Sequence, residues 1–233
     1  METLKDLLKI SPKGADLNAH FEIIARKLMG NYVIKKGEDE YAIVEIEFYY
    51  YSKYHPDYIT YPRDMGAGRW FFHQSGVDLT FESYNVKKDD KKAEKYIIKD
   101  DSSFGGILLR GIRKLNCNDL DKEYIFGPIK CVNTLWDKFD AFSLSANEYP
   151  ILIEQTVEGI LYQCKRHINI KDEKKTDSVK NWLKRLSIDT NDKDLDSIFE
   201  NAQNRPYRFF YLNQNPTQFI KTPFDILPNN ENQ

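Results

Sequence analysis

The stretch Tyr41-Ala42-Ile43-Val44-Glu45-Ile46-Glu47-Phe48-Tyr49-Tyr50-Tyr51 decides the reading of the fold. β-Branched and aromatic residues dominate it and neither Gly nor Pro interrupts it, so it predicts a long strand. Side chains alternate across a strand. That alternation assigns Ala42, Val44, Ile46 and Phe48 to one apolar face, and Glu45, Glu47 and Tyr49 to the other. Two carboxylates at i and i+2 stand about 6–7 Å apart by strand geometry. In a cleft their charges couple and at least one proton affinity rises. On a solvated face they are two ordinary glutamates, and the spacing alone admits both.

On the N-terminal side, Leu17, Phe21, Ile24, Ala25 and Leu28 recur at helical spacing from Asp16 to Met29, with Gly30 as the stop. Tyr32–Lys35 reads as a strand that turns back at Gly37. On the C-terminal side, Pro56, Pro62, Gly66 and Gly68 make His55–Gly68 a loop. Arg69–His73 and Val77–Phe81 flank Gln74-Ser75-Gly76 and predict a β-hairpin. Lys87–Lys95 is a charge run expected to form a solvated loop. Further strands are expected at Gly105–Ile112, Ile160–Ile170 and Arg205–Leu212. Helices are expected at Val132–Phe142, Thr176–Leu186 and Asp194–Gln203. Strands and helices mix without regular alternation and without a repeat. The expectation is a single α+β domain over 1–228, with a mainly antiparallel sheet, a helical insertion over 172–200 and a flexible tail over 229–233.

Composition excludes several classes. With 41% apolar and 30% charged residues, the 233-residue chain has the make-up of a globular protein rather than a disordered one. No apolar run approaches the roughly 18 residues of a membrane span, and the start Met1-Glu2-Thr3-Leu4 carries no signal core. A soluble, cytoplasmic monomer with no membrane partner is expected. The net charge of −2 lends no support to a generally basic, nucleic-acid-binding surface. Three separated cysteines read as reduced thiols, and four scattered histidines without C-x-x-C or H-E-x-x-H predict no metal and no other cofactor.

Several side chains beyond the glutamates could carry chemistry. His55 follows the carboxylate strand and is placed to reach a substrate phosphate or base, or is a plain surface residue. Trp70, Phe71, Phe72 and His73 precede the hairpin turn, where aromatic faces either stack on a base or fill the core. His73 and Asp78 can pair across the hairpin as an oriented acid–base couple. Arg110 ends the apolar run Gly105-Gly106-Ile107-Leu108-Leu109-Arg110, where an arginine is costly unless paired. Glu45 or Glu47 is its natural partner; a strand end reaching solvent is the alternative.

Taken in order, these segments resemble the alkyladenine (3-methyladenine, methylpurine) DNA glycosylase family. Ala25-Arg26-Lys27-Leu28-Met29-Gly30 resembles its A-R-x-x-L-G helix end, and Ile43–Tyr49 its I-V-E-T-E-A-Y strand. Tyr61-Pro62-Arg63-Asp64 resembles T-P-R-N, and Gly105–Ile112 the G-A-x-x-L-L-R-A-L strand. Gly127-Pro128-Ile129-Lys130 resembles G-P-x-K, and Arg205–Phe210 the closing K-P-L-R-F-Y strand. The likeness runs colinearly from about residue 17 to about 220, interrupted near 172–200.

The resemblance implies a curved antiparallel sheet of the formyltransferase C-terminal-domain-like type, with a hairpin that enters DNA. It also implies hydrolysis of the N-glycosidic bond of a flipped, modified base. Glu47 then matches the general base and Arg110 the residue that holds water and glutamate. Tyr49 and Phe72 match stacking aromatics, and His55 falls near a pocket histidine. Ser75 stands where the family wedges a tyrosine, and Glu82 where it has an asparagine. A serine cannot fill a base-sized gap. The implied partner is therefore single-stranded or distorted DNA; the alternative is a non-catalytic nucleic-acid or nucleotide-binding domain on the same scaffold.

Overall fold

A computed structural model describes residues 2–13, 16–88, 96–117, 123–137, 149–191 and 193–227. Among them are five α-helices and eleven strands. The helices are α1 (Leu4–Leu7), α2 (Leu17–Asn31), α3 (Pro128–Leu135), α4 (Lys175–Arg185) and α5 (Leu195–Asn204). The strands are β1 (Tyr32–Lys36), β2 (Asp39–Ser52), β3 (Trp70–His73), β4 (Gly76–Thr80), β5 (Tyr84–Lys88), β6 (Tyr96–Lys114), β7 (Tyr124–Phe126), β8 (Ile151–Glu154), β9 (Ile160–Cys164), β10 (Arg208–Leu212) and β11 (Phe224–Leu227). They form one α+β sheet in the order β11-β9-β10-β2-β6-β4-β3, with β1, β5, β7 and β8 attached beside this path. The pairings within it are antiparallel.

Local chemistry explains α2. The Asp16 carboxylate accepts from the Asn18 and Ala19 N–H groups, satisfying two donors that a helix start leaves open. Phe21, Ile24, Ala25 and Leu28 then bury one stripe against the sheet. Phe21 stacks on Phe48 of β2 with ring centroids 4.4 Å apart. Burying a side chain of this kind contributes about 1.5–3 kcal/mol. Gly30 is not the stop that its position implied. It lies inside the helix, which ends when Tyr32 turns extended (φ −134°, ψ 146°) and runs directly into β1.

The alternation expected along β2 fails at one place. Ile43 pairs with Ile112, Glu45 with Gly111 and Ile46 with Leu109, so the register shifts on either side of Glu45. A bulge inserts a residue and resets which face each side chain meets. Tyr41 and Ile43 therefore share the main core with Ile46, Phe48 and Tyr50. Ala42 and Val44 instead join a second cluster with Val33, Tyr162 and Phe210. The single apolar face of Ala42, Val44, Ile46 and Phe48 does not exist. Past the bulge, Glu45, Glu47 and Tyr49 come to one face as expected.

Other boundaries shift for local reasons. The run Ile160–Ile170 ends as a strand at Cys164, and the chain beyond it leaves the sheet. β10 begins at Arg208, after Pro206, which has no N–H to give to a ladder. The helix expected at Val132–Phe142 starts earlier, with Pro128 in its first turn; Phe142 lies outside the described residues. Lys87 and Lys88 belong to β5 rather than a loop, and residues 89–95 and the tail 229–233 lie outside the described residues. The helical segment expected over 172–200 holds α4 and most of α5, packed on each other through Val179, Trp182, Leu183, Phe199 and Ala202. Among the described residues no helix is long and apolar enough to cross a membrane.

Candidate functional site

The middle of the sheet carries a buried cluster of acids and arginines. β2 places Glu45 and Glu47 beside Arg110 of β6 and Arg208 of β10. Arg110 Nε and Arg208 Nε both donate to Glu45 Oε1, at 2.7 and 2.8 Å. Arg110 Nη1 lies 3.1 Å from Glu47 Oε2. Gly111 is required for this approach, because a Cβ there would stand 2.8 Å from Glu45 Cβ. Two buried carboxylates repel each other; two guanidinium groups balance them. Burial alone would lower the affinity of Arg110 for its proton, but Glu47 and Glu45 outweigh it and hold the group above its ordinary value.

Glu47 is fully buried, and its two oxygens differ. Oε1 accepts the Tyr49 hydroxyl at 2.5 Å. Oε2 faces the Arg110 charge but accepts no hydrogen bond. Burial first, and the Glu47 charge second, push the Tyr49 hydroxyl well above its ordinary value, so it stays protonated and donates. On the other side of Tyr49, Arg166 lies over the ring at 4.9 Å. Arg166 is itself locked by Asp57, with Nη1 to Oδ2 at 2.7 Å and Nη2 to Oδ1 at 2.8 Å, and by donation to the Ala202 carbonyl. This buried clamp ties the end of α5 to β2.

The hairpin contributes a second charged group. His73 Nε2 and Asp78 Oδ1 are 3.0 Å apart, and Arg63 Nη1 donates to Asp78 Oδ2 at 2.7 Å. The Ser75 N–H points at His73 Nδ1 (3.2 Å). A backbone N–H can only donate, so Nδ1 accepts, and the proton of the neutral ring sits on Nε2 and is given to Asp78. Burial alone would raise the Asp78 carboxyl; the Arg63 charge and the His73 bond outweigh it and hold the group low. Gly106 makes room, since a Cβ there would stand 2.7 Å from Arg63 Nη1.

Between these groups lies a cavity of about 480 Å³. Its sheet side is lined by Tyr49, His73, Ser75, Asp78, Leu108 and Arg110, and its other wall includes Tyr61, Arg63, 167–170, Trp182 and Arg185. The size falls within the range of small-molecule pockets. Glu47 does not itself line the wall; it lies one layer behind Tyr49 and Arg110. Among the described residues no group of three or more His, Cys, Asp or Glu side chains is placed to hold a metal ion.

Of the residues singled out from sequence, Glu45, Glu47, Tyr49, Arg110, His73, Ser75 and Asp78 come together around this cavity. His55 does not. A tight turn with mutual Ser52–His55 backbone bonds folds it onto the Tyr50 side of the strand, in a separate depression with Tyr207 and Asn18. There burial first and Arg205 second lower its pKa to about 4. Phe72 is also outside. Alternation along β3 sends it with Trp70 to the opposite face, where both rings meet Trp136. The aromatic rings of the cavity wall are Tyr49, Tyr61 and Trp182. Glu82 has a local task, accepting the Ala67 N–H at 2.8 Å. Sequence reasoning passed over Arg166, Asp57 and Arg185. Arg166 and Asp57 are 109 positions apart, and no short-range pattern marks them. The chain matches no family model, and no curated protein or solved structure is significantly similar to it.

Proposed function

We propose that this cavity hydrolyses the N-glycosidic bond of a modified nucleobase in DNA, with Glu47 as the general base. The observation that carries the proposal is the buried Glu47 carboxylate. One oxygen is oriented by Tyr49, while the other, beside Arg110, accepts no hydrogen bond, directly behind a cavity of about 480 Å³. An oriented base with an open lone pair is what water activation needs. The water oxygen bonds to C1′ and its proton passes to Glu47. The C1′–N bond breaks with its electron pair going to the leaving base. The oxocarbenium-like state between them is favoured by the adjacent carboxylate. Tyr49, whose ring carries Arg166 and lines the cavity, supplies a ring against which an extruded base can rest. The residues that resemble the glycosylase motifs, among them Glu47, Tyr49, Arg63 and Arg110, converge here, which supports a scaffold of that kind.

One observation favours a second reading, a binding domain without catalysis. Glu47 has no exposed surface, so water reaches Oε2 only when Tyr49 or Arg110 shifts. Both readings are separated by release of free base from oligonucleotides carrying a panel of modified bases, single-stranded and duplex. Glu47→Gln keeps the shape and removes the base. Under the proposal it lowers release at least 100-fold, at the low end of what general-base removal costs, and leaves binding intact. Binding without release by the wild-type protein on every substrate selects the second reading.

A further inference from the structure

The charged groups at the cavity balance, with one exception. Arg63 is paired with Asp78, and Arg110 with Glu45 and Glu47. Arg185, at the end of α4, has no carboxylate partner among the described residues. Its Nη2 donates to the Ile59 carbonyl at 2.8 Å, and its guanidinium carbon lies over the Tyr61 ring, 3.9 Å from the centroid. Its Nε is buried and meets no acceptor. On the far side of the network, His73 also stacks with Tyr61, with centroids 4.9 Å apart. A guanidinium held in a partly buried wall without counter-charge is costly, and an anion from outside the chain repays it. A guanidinium carries several donors, and with Nη2 given to Ile59 the remaining Nη group suits phosphate better than a flexible ammonium would.

We infer that Arg185 forms a phosphate subsite of the cavity, so that the substrate is a nucleotide whose phosphate lies against Arg185 while its base occupies the space beside Tyr49. The inference rests on the nucleobase reading above and adds the substrate's second anchor. Three features weigh against a base in an intact duplex and favour a free nucleotide or an unpaired strand. The segment carrying His167, Asn169, Trp182 and Arg185 walls the cavity on the side away from the sheet. Ser75 at the hairpin turn has no ring to hold a duplex open. The net charge of −2 provides no general attraction for a polyanion.

Isothermal titration of the full chain with nucleoside 5′-monophosphates, their parent nucleosides and a single-stranded DNA 10-mer tests this. Each monophosphate that binds is expected to bind at least tenfold more tightly than its nucleoside, the lower end for a hydrogen bond to a charged group. Arg185→Gln is expected to erase that difference while nucleoside affinity stays within twofold, and Arg185→Lys to restore part of it. Thermal unfolding of both variants checks that they fold. A mononucleotide that competes with the 10-mer identifies the free nucleotide as the source of the phosphate. Response of the 10-mer alone to Arg185→Gln assigns the same subsite to a strand phosphate. Monophosphates binding no better than nucleosides, or an undiminished phosphate preference in Arg185→Gln, overturns the inference. Failure of the catalytic proposal looks different: Arg185-dependent phosphate binding persists, and no free base is released from any ligand.

Discussion

Asp57→Asn should destabilise the fold strongly despite being a conservative substitution. Both partners of the Arg166–Asp57 pair are fully buried. Removing the charge replaces a bidentate carboxylate by one neutral amide oxygen, and leaves the Arg166 guanidinium with no formal counter-charge beside it, only that oxygen and the Ala202 and Phe48 carbonyls as acceptors. Breaking such a pair from one side costs about 3–5 kcal/mol. That is a large part of the roughly 5–15 kcal/mol that stabilises a folded domain. At about 2–4 °C per kcal/mol for a chain of this size, the melting temperature should fall by roughly 6–20 °C. The pH dependence has a definite sign. Burial would raise the Asp57 carboxyl, but Arg166 overcomes it and holds the group below its ordinary 3.8. A depressed carboxyl adds stability that is complete above that ordinary value and is lost as pH falls through the lower, folded one. The gap between wild type and Asp57→Asn should therefore be full at pH 7 and close below pH 3.8. Urea denaturation from pH 3 to 7 measures it. A loss under 1 kcal/mol at pH 7, or a gap that widens in acid, would show that the pair does not hold the fold.

Other substitutions probe the cavity. Tyr49→Ala should weaken binding of the flipped base by about 1–3 kcal/mol, the range for one stacking contact, as read by titration in a Glu47→Gln background. Gly106→Ala should destabilise the protein by about 1–3 kcal/mol, because its Cβ would press on Arg63 Nη1 at 2.7 Å, and it should also disturb the His73–Asp78 pair; chemical denaturation reads the first effect. Ser75→Tyr should raise binding or excision on duplex DNA relative to single strands. Equal activity of the wild-type protein on both, with no gain from tyrosine, would show that another residue does the wedging.

Much of the fold follows from local rules. The apolar periodicities of α2, α4 and α5, the strand at Tyr41–Tyr51 and the hairpin around Ser75 depend on residues within a few positions of each other, and all are present. The pairing of Arg110 with Glu45 or Glu47 is legible too, because an arginine ending an apolar strand needs a carboxylate. Four short strands, β5, β7, β8 and β11, are not, since three to five residues carry too little pattern to stand out.

What sequence alone determined is the longer elements and the chemical types on the middle strand. Tertiary structure decided which of those groups meet. The bulge at Glu45 depends on the partner strand β6, and it redirects Ala42 and Val44 to a second core. The turn from Ser52 to His55 takes a histidine expected in the cleft to the other side of the sheet. Arg166 reaches Asp57 across 109 positions, and Arg185 reaches Tyr61 from the end of α4. Side-chain alternation and helical periodicity have a range of a few residues, whereas burial of charge is settled between segments that meet only when the whole sheet has formed.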